Sequence, residues 1–243
     1  MDFYDSISKY YDLIFPLNEK QVDFVLKQTG DDASSGLLLD IGCGTGNLGG
    51  ALAKHFKQIT AIDLDGEMLA LARAKYNTSN LEFTEGSMLE LESHYKAESF
   101  DVVCCFGNTL VHLQDERQIR DFIRQANDLL RPGGKLLIQI INYDRILDQN
   151  IDHLATIKNE GVRFERNYSY DKVNHKIMFN TILSKEGTDM RIENTIPLLP
   201  IRPAELNEIL EIAGFKQIEM FGNFASAAFG KDSAPYVLSC VKD

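Results

Sequence analysis

The chain has 243 residues, enough for one sizeable core, with 25 Lys and Arg against 36 Asp and Glu for a net charge of −11. So acidic a chain lacks the basic face that neutralises phosphates, which argues against a nucleic-acid partner. No apolar run approaches the ~20 residues of a membrane span, the polar, acidic start MDFYDSISKYYD is unlike a signal peptide, and Cys43, Cys104, Cys105 and Cys240 show no metal-ligand spacing, so free thiols in a reducing cytoplasm are expected.

Residues 1–36 predict an amphipathic helical lead-in. Phe3, Ile7, Tyr10, Tyr11, Ile14 and Phe15 form an apolar and aromatic series, and a second helix after Pro16 places Val22, Val25 and Leu26 on one face. Leu37–Leu39 then read as a strand buried on both faces. Gly42, Gly44 and Gly46 follow, and Leu48, Leu52 and Phe56 recur at helical spacing. Strand, glycine turn and helix in that order cradle a nucleotide cofactor, because glycine lets the backbone approach a ligand and the helix start offers free N–H groups.

Two cofactor classes fit that cradle. Gly44, Gly46 and Gly49 match the dinucleotide fingerprint GxGxxG literally, which suggests a nicotinamide-dependent oxidoreductase. Asp40 argues the other way: its carboxylate at the strand end would repel a pyrophosphate and attract an amine. Asp63, at the end of the strand ITAID, is placed to accept ribose hydroxyls from either class. The Asp40 position favours S-adenosylmethionine.

Further along, Asp65 caps a short helix with Met68, Leu69 and Ala72 inward, and LEFTEG is a strand that delivers Ser87 and Met88 to a pocket edge. SFDVVCCF, ending at Phe106, is a central apolar strand in which Cys104 and Cys105 pack. Asp115 caps the next helix with Gln118 as capping-box partner, and Ile119, Phe122, Ile123, Ala126, Leu129 and Leu130 form its core stripe. That helix is expected to stop at Pro132-Gly133-Gly134, before the strand KLLIQII. From about 150 to 200, RFERNYSYD, KIMFNTILS and MRIENTIPL alternate apolar and polar residues and predict three antiparallel strands, an insertion within a single 1–243 domain. A helix from Pro203, ended by Gly214, precedes KQIEMFG and PYVLSCVK, expected as an antiparallel pair.

DIGCGTG, the acidic residue of AIDLDGEML, EGSMLEL, FDVVCCFGNTLVHL and LLRPGGKLLI resemble, in order, the motifs of the class I S-adenosylmethionine-dependent methyltransferases. The resemblance implies a Rossmann-like α/β fold with a seven-stranded, mostly parallel sheet, and a cofactor held over the carboxyl strand ends by Asp40, Gly42, Cys43, Gly44, Asp63, Leu64, Met68, Ser87, Met88 and Phe106. Ser87 departs from the aspartate many members use for adenine. The resemblance also implies that YDSISKYYDLIF, with Tyr11, forms a lid over cofactor and substrate.

Methyl transfer from a sulfonium is a direct displacement, so the protein chiefly positions a nucleophile and excludes water, with no metal required. FGNTLVHL, beyond a parallel strand, offers Asn108 to orient an amine lone pair and His112 to take a proton. This segment and INYDRIL are similar to glycine and glycine/sarcosine N-methyltransferases. That resemblance implies substrate contacts from Asn108 and Tyr143, although Ile141 stands where those enzymes have a carboxylate-binding arginine. Arg145, Arg191 or Arg202 are candidates to replace that contact, while Asn142 and Asp144 equally fit a turn after the strand. The expected acceptor is a small molecule with an amine nitrogen. Carbon or oxygen methylation of a quinone-like or phenolic compound is the alternative, and a non-catalytic cofactor-binding module a more distant one. The oligomeric state stays open, a homo-oligomer included.

Overall fold

The computed structural model describes residues 3–243, with only the backbone of Phe3, Asp5, Asp31 and Asp32; the contribution expected of the Phe3 side chain lies outside the described residues. Its centre is a seven-stranded sheet. β1 (Leu37–Ile41), β2 (Gln58–Asp63), β3 (Leu81–Glu85), β4 (Phe100–Cys105), β5 (Leu130–Ile141), β10 (Phe215–Phe221) and β11 (Pro235–Lys242) are ordered β10-β11-β5-β4-β1-β2-β3. β1 pairs in parallel with both β2 and β4, and β11 runs antiparallel to β5 and β10. The chain winds outward through β2 and β3, then returns to β4 on the other side of β1. That reversal opens a crevice beyond the carboxyl ends of β1 and β4, where ligands of such sheets bind. The strands read as near-continuous apolar runs because helices cover both faces: Leu39, Ile41, Val103 and Cys105 are buried in one core cluster, Leu38, Val102 and Cys104 in the other.

The helices are α1 (Phe3–Ile7), α2 (Tyr11–Ile14), α3 (Glu19–Thr29), α4 (Asn47–Leu52), α5 (Gly66–Lys75), α6 (Leu91–His94), α7 (Glu116–Leu129), α8 (Tyr143–Asp148) and α9 (Pro203–Ile212). Asp65 caps α5 by accepting from the N–H groups of Glu67 and Met68. Asp115 caps α7 by accepting from Gln118 N–H at 2.9 Å. The expected capping box is displaced, since the Gln118 side chain accepts from Gln114 N–H instead. α7 ends at Leu129, before Pro132. Leu130 already pairs with Phe100, so the Pro-Gly-Gly segment lies inside β5 at an irregularity in the ladder.

The insertion is a separate antiparallel sheet, ordered β6-β7-β8-β9: β6 (His153–Asn159), β7 (Val162–Asp171), β8 (Lys176–Lys185) and β9 (Arg191–Leu198). Three strands were expected and four form. β6 escapes the alternation pattern because it is a mostly exposed edge strand whose register shifts between Leu154 and Ile157. Phe164, Val162 and Leu183 of this sheet pack with Ile7 and Ile14, so the two tyrosine-rich helices at the start of the chain sit beneath it. Among the described residues no helix is long and apolar enough to cross a membrane.

Candidate active site

Between the carboxyl ends of β1, β4 and β5 and the inner face of the insertion lies a cavity of about 600 Å³. Its floor is the glycine turn. Gly42 (φ +70°) faces Thr109 so closely that a Cβ would stand 2.4 Å from the threonine methyl, and Gly44 (φ +54°) faces the Tyr11 ring at 3.2 Å from the same hypothetical atom. Both positions therefore favour glycine for conformation, and at Gly42 a side chain would also displace Thr109.

Asp40, Gly42, Cys43 and Phe106 line the cavity, and Gly44 lies beneath Tyr11. Asp40 is 3 % exposed and its Oδ2 has no hydrogen-bond partner among the described residues. Burial, then the nearby Asp63 charge, push its carboxyl up to about 7. A buried acceptor of this kind is costly unless a donor meets it. A cationic amine suits it in both charge and hydrogen bonding, and a pyrophosphate in neither.

Asp63 is already engaged: Oδ2 accepts from Gly44 N–H at 2.7 Å and Oδ1 from Asp65 N–H at 3.0 Å. Burial raises its pKa against these bonds. Its carboxylate thus ties the glycine turn to the end of β2, while each oxygen keeps a second lone pair. Asp63, Leu64, Ser87 and Met88 do not line the cavity but sit at the ends of β2 and β3; Leu64 is exposed and the Ser87 hydroxyl accepts from Leu89 N–H. Met68 departs from expectation, because its side chain is buried inside α5's inner face and presents nothing to a ligand.

Asn108 lines the cavity in the left-handed conformation (φ +67°), which asparagine tolerates. Its amide is committed to the fold. Oδ1 accepts from Ile141 N–H at 2.9 Å, and Nδ2 donates to the Tyr143 hydroxyl at 3.1 Å. Gly107 N–H donates to Gln139 Oε1 beside it, so the ends of β4 and β5 are laced together. Tyr143 is corrected from pocket wall to core: it is fully buried, outside the cavity, and serves Asn108. Asn142 and Asp144 begin helix α8 rather than a turn, with Asn142 Oδ1 capping Arg145 N–H. Ile141 does face the cavity.

His112 ends a short 3₁₀ turn, Thr109–His112, and lines the cavity with Nε2 3.0 Å from the Tyr4 hydroxyl. Tyr11 reaches the cavity from α2, where burial raises its hydroxyl pKa with Asp63, Cys43, Asp12 and Asp40 adding to the effect. The neighbouring Asp12 is latched to the glycine loop and α5 by Thr45, Asn47 and Lys75. Burial opposes its ionisation, but those bonds hold its pKa below the usual range.

Sequence reading missed the residues supplied by the insertion. Arg166, Tyr168 and Phe179 form part of the cavity roof, with Leu154 and Leu198. The signal was present in β7: Phe164, Arg166 and Tyr168 share one face by alternation, so an arginine interrupts an otherwise apolar row. Arg145, Arg191 and Arg202 do not line the cavity. Arg191 pairs with Glu193, and Arg202 with Asp144 and Asp148. Among the described residues no group of His, Cys, Asp and Glu could hold a metal ion. Burial raises the Cys104 and Cys105 thiol pKa values, which keeps them protonated.

Residues 38–134 match the family model described as a methyltransferase domain. A putative methyltransferase of Geobacillus sp. (strain WCH70) is 29 % identical over 237 residues, covering 93 % of this chain and 94 % of that protein. The ubiquinone biosynthesis O-methyltransferase of Xanthomonas oryzae pv. oryzae (strain PXO99A) is 34 % identical over 128 residues, so the chain aligns with about half of that relative, 51 % of its length, and over 52 % of its own. Among solved structures, a Clostridium acetobutylicum ATCC 824 S-adenosylmethionine-dependent methyltransferase matches with a TM-score of 0.82 at 17 % identity, over 99 % of both chains. An amino pentose methyltransferase from Micromonospora echinaspora, with S-adenosylmethionine bound, matches at 0.73 and 18 %, over 98 % of both. The strand order, the glycine turn with its uncompensated Asp40 and the matched methyltransferase domain converge: the chain has the class I, Rossmann-like methyltransferase fold, and the domain match over residues 38–134 supports S-adenosylmethionine-dependent methyl transfer.

Proposed function

We propose that this enzyme methylates a small molecule, on an amine nitrogen, in the cavity beneath the insertion. The observation that carries the reading is the roof itself. An antiparallel sheet and two aromatic helices enclose about 600 Å³ above the carboxyl strand ends, within the range of small-molecule sites. Such a space takes the cofactor together with one compact acceptor and keeps water from the reaction. The likeness of FGNTLVHL and INYDRIL to glycine and glycine/sarcosine N-methyltransferases supports nitrogen as the nucleophile.

In this reading Asp40 meets the amino group of S-adenosylmethionine, Asp63 accepts from its ribose, and Gly42, Cys43, Gly44 and Phe106 form its bed, with Leu64, Ser87 and Met88 nearest the adenine. When bound, the cofactor supplies an electrophilic methyl carbon already activated by the sulfonium. His112, at the cavity wall, takes the proton that an ammonium acceptor must lose, and the Tyr4 hydroxyl orients its ring. Asn108 acts through the backbone, holding the ends of β4 and β5 against each other. The tyrosine-rich start, latched through Asp12, closes over the site as a lid.

Oxygen methylation is the second reading, favoured by the ubiquinone biosynthesis O-methyltransferase relative. A mass-spectrometric screen of small amines and phenols with S-adenosylmethionine separates the two. Methylated amines are expected. Methylation of phenols alone would replace the nitrogen reading, and tight cofactor binding without product from any acceptor would point to a binding module.

A further inference from the structure

The chain is acidic, and its guanidinium groups are generally neutralised: seven of its ten arginines are ion-paired with Asp or Glu. Arg166 is not. It is half-buried in the middle of β7, on the cavity wall, and has no carboxylate within 4 Å among the described residues. Burial lowers its pKa, with only Tyr168 opposing that shift. A half-buried cation with no counter-ion is an expensive arrangement to keep in an apolar roof.

The geometry shows how one edge of the fork is used. Nε donates to the Ala155 carbonyl at 3.2 Å and Nη2 donates to the same oxygen, which orients the plane from the β6 side. Nη1 makes no bond among the described residues, so donors remain for a second, planar acceptor. Directly opposite Arg166 in the β7–β8 ladder stands Thr181, on the same sheet face. It is 2 % exposed, and its hydroxyl has no hydrogen-bond partner among the described residues. A guanidinium with one unused edge and a hydroxyl without a partner among the described residues thus lie side by side on one face of the sheet.

We propose that the methyl acceptor carries an oxyacid group, a carboxylate or a phosphate, that docks on the unused edge of the Arg166 guanidinium. The inference rests on the small-molecule reading above and names the charge of the molecule. The net charge of −11 makes it selective: long-range repulsion disfavours anions elsewhere on the chain, so a bidentate contact at Arg166 discriminates an anionic acceptor from a neutral one. Arg166 is accordingly a specificity residue, at the roof rather than at the reacting atom.

The test is calorimetry of the full chain loaded with S-adenosylhomocysteine. It is titrated with amines bearing a carboxylate, amines bearing a phosphate, and the matched neutral amides and alcohols; the two acid arms identify which oxyacid is taken. At least one acid arm should bind more tightly than its neutral partner. Arg166→Gln should weaken that acid at least tenfold while leaving the neutral partner and S-adenosylhomocysteine unchanged, and Arg166→Lys should recover part of the loss. Thermal unfolding controls for the Ala155 contact. If the glutamine variant does not fold, the lysine variant decides, since it keeps the charge and loses the fork. Equal binding of acid and neutral partners, an unchanged acid affinity in the variants, or no binding of any oxyacid would overturn the proposal while leaving the methyltransferase reading intact. Failure to bind S-adenosylhomocysteine at all would overturn both.

Discussion

The floor and the roof of the cavity are built by opposite strategies. The floor is local: Asp40, the glycine turn and α4 are contiguous in sequence, and a strand, a turn and a helix suffice to place them. The roof is assembled from distant segments, with Tyr4 and Tyr11 from the start of the chain and Arg166, Tyr168 and Phe179 from the insertion. A floor that any cofactor-binding member needs can be written as a motif. A roof that meets one acceptor must be written as a shape, and shape leaves only faint traces in sequence. Cofactor and acceptor are therefore legible to different degrees for a physical reason.

Breaking the chemistry where floor and roof meet should have the largest effect. His112→Ala, which removes the proposed base, is expected to lower kcat by roughly 10²–10⁴-fold at neutral pH with cofactor affinity unchanged. Steady-state kinetics with the identified acceptor checks this, and an undiminished kcat would reassign His112 to packing against Tyr4.

On the floor, Asp40→Asn is expected to weaken S-adenosylmethionine by roughly 10- to 100-fold, the loss of a charge-assisted hydrogen bond of about 1.5–3 kcal/mol. The pH dependence sharpens the point. With a folded pKa near 7 and an ordinary unfolded one, the folded chain holds the extra proton between about pH 4 and about pH 7. Stability without cofactor should therefore fall as pH rises through that window, and cofactor affinity should rise as the carboxylate ionises. Asp40→Asn should flatten both profiles in chemical denaturation and calorimetry.

Asn108→Ala tests the brace between β4 and β5. It leaves the Ile141 N–H and the buried Tyr143 hydroxyl without a partner, so unfolding free energy should drop by about 1–3 kcal/mol. A loss of turnover with no loss of stability would instead return Asn108 to direct substrate contact. The smallest effect is expected at the latch. Asp12 and Lys75 are both partly exposed, so Asp12→Asn should cost about 0–1 kcal/mol in stability. Faster cofactor release in stopped-flow measurements would mark the latch as part of a lid.

Much of the fold was legible because periodicity and capping are local physics. The core stripe of α7, the Asp65 cap and the final antiparallel pair all follow from residues within a turn or a ladder of one another. The errors fell where a long-range partner decides. Tyr143 and Met68 have polar or pliable side chains that suit a pocket, yet both are claimed by the core. The amide of Asn108 is bonded to residues more than thirty positions away, which no local pattern announces.

By itself the sequence determined the α/β class, the places of the early strands along the chain, the glycine cradle and the sign of the charge at its edge. Each is a matter of hydrophobic period, backbone freedom or residue charge, properties that neighbouring residues carry together. Only the tertiary structure decided that β6 joins the roof, that Asn108 braces rather than points, and that Arg166 faces the cavity without a counter-ion. Those outcomes depend on which distant groups satisfy one another, because a buried donor or charge takes its meaning from the partner it finds or lacks.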